Sequence, residues 1–294
     1  MNILSDELLQ HHDFLRLTRE NSVEIENACS KSYNNLVITL IDIGILLIEP
    51  KNPGLIDIVI SSGIHGNETA PIEICNLLIK EILDGDLQVN NRILFIIGNP
   101  PAMNNGNRFE EENLNRLFCG KHKGKSHPEA QRAALLEKSV TDFFLAREHS
   151  VERCHFDLHT AIRASKYEKF AIYPFQDGRA LKKEYLNFFK DSDINTILLG
   201  HQPSGTFSYF SSHQFKANAF TVELGKVRPF GENAMSSFSG ITSNLRLLIN
   251  DGKVFNADVN NDFDVDLDKL NNGVYIVNIM TEDNQVKSQR FIVE

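Results

Sequence analysis

The stretch IVISSGIHGNETAPIE (residues 58–73) decides the fold, because it joins a strand to a helix through a short polar turn. Residues 56–60 form a continuous run rich in β-branched side chains, as do strands buried in a parallel sheet. Residues 61–67 are small and polar, which is typical of a strand-to-helix turn. We therefore expect His65 and Glu68 to face the crevice at the carboxyl end of a strand, where open α/β sheets bind ligands.

Outward from this stretch, apolar runs alternate with amphipathic segments. Residues 71–83 place apolar side chains on one helical face, and residues 93–97 indicate a buried strand. A second helix is predicted to run from a Ser126 cap to about Ala146. Further strands are predicted over 37–40 and 43–49 and near Phe156, Phe170, Thr196 and Phe220, with helices over 181–189 and 232–248. This alternation predicts an α/β fold whose central sheet is mostly parallel or mixed, with helices on both faces.

The sequence changes character near residue 250. The tail is acidic and rich in asparagine, and residues 274–280 and 287–293 are predicted to form a β-hairpin. We therefore predict a catalytic domain over residues 1–249 and a short β segment over residues 250–294. The tail resembles the β-sandwich sorting modules at the ends of some secreted bacterial proteins.

Composition excludes several classes of function. The net charge of -9 disfavours nucleic acid and anionic membrane surfaces as partners, because both reward clustered lysine and arginine. No apolar run approaches the roughly 18 residues of a membrane-spanning helix. The first 21 residues contain early acidic residues rather than a basic leader, so we expect an amphipathic surface helix there and a cytoplasmic location.

His65 and Glu68 supply two of the three protein ligands that a catalytic zinc site requires. Residues 156–162, FDLHTAI, offer His159 as the third ligand, again at a predicted strand end. Asp157 is predicted to share a strand face with His159 and to orient its ring. We expect one Zn²⁺ per chain, although nickel or cobalt would accept the same ligands.

Several segments together resemble the succinylglutamate desuccinylase and aspartoacylase family of zinc amidohydrolases, which are related to zinc carboxypeptidases. The segments are HGNETAP, GNPPA, LNR at residues 114–116, DLHTAIR and ELGKVRPFG, and the match covers roughly residues 35–245 in order. The PSGTFSYFS run at residues 203–211 and the ELGK of residues 223–226 are most similar to the succinylglutamate desuccinylase branch.

This resemblance implies roles for further residues. Glu223 would take a proton from the attacking water and pass it to the departing amine, and burial in an apolar strand should raise its pKa toward a useful value. Arg108 would assist the carbonyl oxygen, while Asn115 and Arg116 would hold a substrate carboxylate. Arg163 would contact a second or third carboxylate. The family more often has aspartate where this chain has Asn113.

The resemblance implies a zinc-dependent hydrolase that converts N-succinyl-L-glutamate to succinate and L-glutamate, the last step of arginine breakdown by the succinyl route. The expected partner is therefore a small anionic N-acyl amino acid, and the oligomeric state is left open. One alternative is an aspartoacylase-type enzyme for another N-acyl amino acid. A protein that binds metal but has impaired catalysis is a further alternative, because the tail differs from the family's longer C-terminal β domain.

Overall fold

The computed structural model describes residues 3–21, 25, 27–147, 151–161 and 167–252, and the backbone of residues 273–280 and 286–293. Within these residues the dominant feature is a nine-stranded sheet. Its strands are β1 (Cys29–Tyr33), β2 (Leu36–Asp42), β3 (Ile45–Pro50), β4 (Ile56–Ser62), β5 (Arg92–Ile97), β6 (Glu152–Ala161), β7 (Lys169–Tyr173), β8 (Ile197–Leu199) and β9 (Asn218–Lys226). Their order across the sheet is β1-β2-β3-β5-β4-β6-β9-β7-β8.

The centre of the sheet is parallel and its flanks are mixed. Strands β5, β4, β6 and β9 run parallel to one another, whereas β1, β2, β3 and β5 pair antiparallel in succession, as do β9 and β7. Every residue of β4 and β5 is buried, in agreement with the apolar runs that they contain, residues 58–60 and 93–97. The predicted mixed sheet is confirmed, as are the strands predicted over 37–40 and 43–49, which are β2 and β3 and pair as a hairpin.

Two helices precede β1, and further helices follow β4, β5, β7, β8 and β9 along the chain. They are α1 (Ile3–His11), α2 (Phe14–Glu20), α3 (Thr69–Asp84), α4 (Pro100–Asn104), α5 (Pro128–Leu145), α6 (Lys183–Asp191), α7 (Phe207–Phe215) and α8 (Ser239–Asp251). The N-terminal segment thus contains two helices rather than one. His127, and not Ser126, is the N-cap of α5, because Pro128 occupies its first turn.

The two faces of the sheet are packed differently. Beneath one face, Phe156 of β6 and Phe220 of β9 contact each other, with ring centroids 5.5 Å apart. Aromatic side chains of α6 pack around this pair. On the opposite face, apolar residues of α5 and α7 join β3, β4 and β5 in one buried cluster. The carboxyl ends of β4, β6 and β9 are therefore held between two well-packed layers.

The chain divides into two compact units, Met1–Asp177 with Lys183–Phe255 and Gly178–Lys182 with Asn256–Glu294. The second unit contains β10 (Gly273–Met280) and β11 (Val286–Val293), which pair antiparallel and confirm the predicted hairpin. The domain boundary expected at residues 249 and 250 stays a prediction. Among the described residues, no helix combines the length and the hydropathy needed to cross a membrane.

Candidate metal centre and active site

His65 and Glu68 lie in the turn between β4 and α3. Gly63 has a left-handed backbone with φ of 61°, and Glu68 is the N-cap of α3. Gly66 has no room for a side chain, because a Cβ there would come within 2.1 Å of the backbone nitrogen of Met103. The turn therefore packs directly on the backbone of α4, and His65 and Glu68 are held in buried positions.

His159 completes a three-residue cluster with this turn. It lies near the end of β6, the direct neighbour of β4 in the sheet. Glu68 Oε1 is 2.9 Å from Nδ1 of His65, and Glu68 Oε2 is 2.9 Å from Nδ1 of His159. One ligand atom from each of the three residues lies within 4.8 Å of the other two. The structure thus brings together the three metal ligands expected from the sequence.

Hydrogen bonds determine which nitrogen of each histidine carries the proton. Asn113 Oδ1 accepts the backbone N–H of Asn115 at 3.0 Å, so the same oxygen, 3.0 Å from His65 Nε2, must accept a proton from that nitrogen as well. A carboxylate only accepts, so His159 Nε2 donates to Asp157 Oδ2 at 3.0 Å. In its neutral form, each histidine therefore turns an Nδ1 lone pair toward Glu68.

This arrangement fits a divalent metal ion. His65 Nδ1 is buried and has no hydrogen-bond partner, although it lies 2.9 Å from Glu68 Oε1. Since Nε2 carries the proton, His65 Nδ1 and Glu68 Oε1 are both acceptors. At this distance the two atoms repel each other unless they share a cation. Two imidazole nitrogens and one carboxylate are the ligand set of many catalytic zinc sites. The residues present are therefore suited to zinc.

The electrostatics of the cluster also favour a cation. Burial lowers the pKa of His159, but Asp157 and Glu68 outweigh this effect and hold that pKa well above its usual value. Burial opposes ionisation of Glu68 as well, yet His159 and His65 keep the pKa of Glu68 well below its usual value. The cluster therefore favours positive charge between its carboxylates, whether as a proton or as a metal ion.

Glu223 stands beside His159 on the neighbouring strand. The β6–β9 register pairs His159 with Glu223. Burial raises the pKa of Glu223, and Glu68 adds to this effect while His159 and Arg108 oppose it. Glu223 Oε2 is buried without a hydrogen-bond partner. A carboxylate with a raised pKa and an unused oxygen is suited to take up a proton.

Arg108 reaches the cluster from the loop after α4. Its Nη1 donates to Glu68 Oε1 at 2.6 Å, and its backbone carbonyl accepts the N–H of Gly66 at 3.1 Å. The loop that carries Arg108 is therefore tied to the turn that carries two of the expected ligands. The side chain is about a quarter exposed, at 26%, so the guanidinium borders both the metal position and solvent.

Asn115 and Arg116 lie in a 3₁₀ turn further along the same loop. Asn115 is buried, and its Oδ1 accepts the N–H of Phe207 at the start of α7 at 3.0 Å. Arg116 is exposed, and its Nη1 donates to the backbone carbonyl of Asn115 at 2.9 Å. Their expected contact with a substrate carboxylate stays a prediction. Arg163 lies outside the described residues, so its expected role stays a prediction as well.

Sequence reasoning missed two further residues near the metal cluster. Asn113, noted above only as a departure from the family pattern, instead holds His65 in place. From the sequence alone, His155 is interpreted as a surface or capping residue, and this interpretation is wrong, because its exposed fraction is 0%. The alternation of His155, Asp157 and His159 places all three on one face of β6, and this period of two could have revealed His155.

A family model supplies the identification. Residues 55–249, which include every expected site residue, match the model described as the succinylglutamate desuccinylase/aspartoacylase catalytic domain. The chain belongs to this family. Its segments HGNETAP and DLHTAIR carry the expected metal ligands of this desuccinylase/aspartoacylase family member. Residues 238–294 match a second model, described as a secretion system C-terminal sorting domain, in agreement with the resemblance of the tail.

Individual relatives of this family member are similar over most of its length. The succinylglutamate desuccinylase of Shewanella amazonensis is 50% identical over 245 residues, which cover 81% of this chain and 70% of the relative. The corresponding protein of Idiomarina loihiensis is 49% identical over the same shares of the two chains. The crystal structure of succinylglutamate desuccinylase from Chromobacterium violaceum superimposes with a TM-score of 0.78 at 39% identity, covering 88% of this chain and 78% of that one.

Proposed function

We propose that this protein is a zinc-dependent amide hydrolase that converts N-succinyl-L-glutamate and water to succinate and L-glutamate. The observation that carries the proposal is the 50% identity to a succinylglutamate desuccinylase over 81% of the chain. The buried cluster of His65, Glu68 and His159 supports the same chemistry. Each chain would hold one zinc ion in this cluster.

Zinc bound there would polarise the amide carbonyl and acidify a water molecule. Glu223 is the proposed base, because its pKa is raised by burial and it stands in register with His159. It would take the proton of the attacking water and later deliver that proton to the amine nitrogen of the departing glutamate. A single carboxylate would thus serve both halves of the proton transfer.

Arginines would recognise the anionic groups of the substrate. Arg108 borders the metal position, where its guanidinium can donate to the developing oxyanion. Asn115 and Arg116 are proposed to bind a substrate carboxylate, and Arg163 a further one. The chain carries a net charge of -9, so these local cations would have to attract an anionic substrate against the overall charge.

The proposal is tested by measuring glutamate release from N-succinyl-L-glutamate beside aspartate release from N-acetyl-L-aspartate, with zinc-loaded and with chelated protein. We expect zinc-dependent release from the first substrate only. The Glu223→Gln variant should bind zinc as the wild type does and lose turnover by about 10²-fold or more, the lower range for a general base. Glu168→Gln, which removes an exposed glutamate paired with Lys226 of β9, is the matched control.

Other results would select among the alternatives. Zinc-dependent release from N-acetyl-L-aspartate alone would indicate the aspartoacylase-type activity. Tight zinc binding without release from either substrate would indicate a metal-binding protein with impaired catalysis. The expected cytoplasmic location stays a prediction, and the match of residues 238–294 to a sorting-domain model makes cell fractionation the measurement that decides it.

A further inference from the structure

A chain of buried hydrogen bonds leads from Asp157 away from the metal cluster and ends in α7. Ser61 of β4 lies with its Oγ 2.6 Å from Asp157 Oδ1 and 2.8 Å from His155 Nε2. On its other side, His155 Nδ1 is 2.7 Å from Ser211 Oγ. All four side chains have an exposed fraction of 0%. These hydrogen bonds thus connect α7 to an expected metal ligand, through Ser211, His155, Ser61, Asp157 and His159 in that order.

The direction of every hydrogen bond in this chain follows from one carboxylate. Asp157 only accepts, so Ser61 must donate its single proton to Oδ1. Ser61 can then only accept from His155, which requires a proton on His155 Nε2. His155 Nδ1 is consequently an acceptor, and the hydroxyl of Ser211 donates a hydrogen bond to it.

Packing fixes the ring of His155 in this orientation. Phe207 of α7 meets the imidazole edge to face, with ring centroids 4.8 Å apart and an interplanar angle of 86°. Burial lowers the pKa of His155 to about 4, so the ring is neutral near pH 7 and has one donor and one acceptor. The opposite tautomer would turn the Ser61 hydroxyl toward His155 Nε2 and leave Asp157 Oδ1 without its donor.

We propose that His155 is a positioning residue for the metal centre. Through Ser61 it orients Asp157, so that Oδ2 of Asp157 accepts the Nε2 proton of His159 and leaves the Nδ1 lone pair of His159 for the metal. The inference rests on the proposed function, since it requires a metal ion at the cluster. His65, the other histidine of the metal cluster, is held differently, by the neutral amide of Asn113.

The test is a set of serine and histidine variants of the full chain, with zinc affinity measured by chelator competition at pH 7. Ser61→Ala removes the donor to Asp157 and should weaken zinc binding about tenfold, the lower range for a group that supports a metal ligand. Ser62→Ala is the matched control, because this adjacent serine is equally buried but donates to the backbone carbonyl of Ile96. Its zinc affinity should stay within about twofold of the wild type.

A double-mutant cycle separates positioning from general destabilisation. His155→Phe should weaken zinc binding about threefold, and His155→Gln, which keeps a donor and an acceptor, should restore most of that loss. Because His155 acts through Ser61, the double variant Ser61→Ala/His155→Phe should bind zinc no more weakly than Ser61→Ala alone. Effects that add in the double variant would overturn the proposal.

A measurement on the wild type does not depend on how the variants fold. ¹⁵N-histidine NMR should show His155 neutral and protonated at Nε2 between pH 6 and 8, and a proton on Nδ1 would overturn the proposal. If Ser61→Ala leaves the zinc affinity unchanged, this inference is overturned but the proposed metal centre is not. A wild-type chain that binds no zinc would refute the proposed metal centre and this inference together.

Discussion

His155 should make the unfolding free energy fall as the pH is lowered, and the single substitution His155→Gln should remove this dependence. The pKa of this histidine is lowered to about 4 by burial, whereas an unfolded chain restores its ordinary value of 6.5. Between these two values the unfolded state binds one proton more than the folded state. Stability from this group is therefore fully present above about pH 6.5 and is lost as the pH falls toward 4.

The size of the effect follows from the difference between the two pKa values. One pKa unit corresponds to about 1.4 kcal/mol. Because the folded state keeps His155 neutral, the unfolding free energy should be about 3 kcal/mol lower at pH 4 than above pH 6.5. This is a large part of the 5–15 kcal/mol by which a typical domain is stable. His155→Gln keeps a donor toward Ser61 and an acceptor toward Ser211 but cannot take up the proton.

Urea unfolding between pH 7.5 and 4, in the presence of a chelator, measures this difference. We expect the wild type to lose about 3 kcal/mol more unfolding free energy than His155→Gln over this range. His201→Gln, which removes a histidine from the exposed surface, controls for the loss of a histidine as such. The same pH dependence in the wild type and in His155→Gln would refute the reasoning.

Substitutions at three further positions, two of them paired with a control variant, test the turn and the loop that build the site. Asn113→Ala removes the acceptor for His65 Nε2 and should lower zinc affinity about 10- to 100-fold. Asn113→Asp keeps the acceptor and should bind zinc at least as tightly as the wild type. Chelator competition measures both affinities, and an alanine variant with wild-type affinity would contradict the role of Asn113 in holding His65. Gly66→Ala places a Cβ 2.1 Å from a backbone nitrogen of α4 and should destabilise the fold by about 3 kcal/mol in urea unfolding. Gly85→Ala meets nothing within 4 Å and should cost only about 1 kcal/mol for its left-handed backbone, so equal losses at the two glycines would show that the close packing of Gly66 is unimportant. Arg116→Ala should raise KM for N-succinyl-L-glutamate about tenfold with little change in kcat, as expected for one lost charged hydrogen bond, and an unchanged KM would exclude Arg116 from substrate binding.

The parts of the site that are local in sequence were predictable. His65 and Glu68 are three residues apart in one turn, and the apolar run before them identified the strand. His159 could be placed because parallel strands end at the same edge of a sheet. The sequence pattern therefore predicted the ligand cluster and the mixed sheet that carries it.

The hydrogen-bond pairings that support the site were not predictable, because they join distant segments, although the alternation in β6 does place His155 on the same strand face as His159. Asn113 meets His65 only after the loop beyond α4 folds back over the turn. His155 meets Ser211 only because α7 packs on β6, and no helix was expected at residues 207–215. Helix α7 in turn begins where Thr206 caps it and where Asn115 accepts the N–H of Phe207. No local periodicity encodes such pairings.

The position of β6 in the sheet has a consequence for the order of folding. His65 and Glu68 belong to one short segment, but His159 joins them only when β6 inserts between β4 and β9. This pairing closes a long loop and is therefore among the slower steps of folding. A chain that has formed β4 and α3 alone offers two ligands and should bind zinc weakly. The rate of tight zinc uptake during refolding would therefore measure the rate at which β6 takes its place in the sheet.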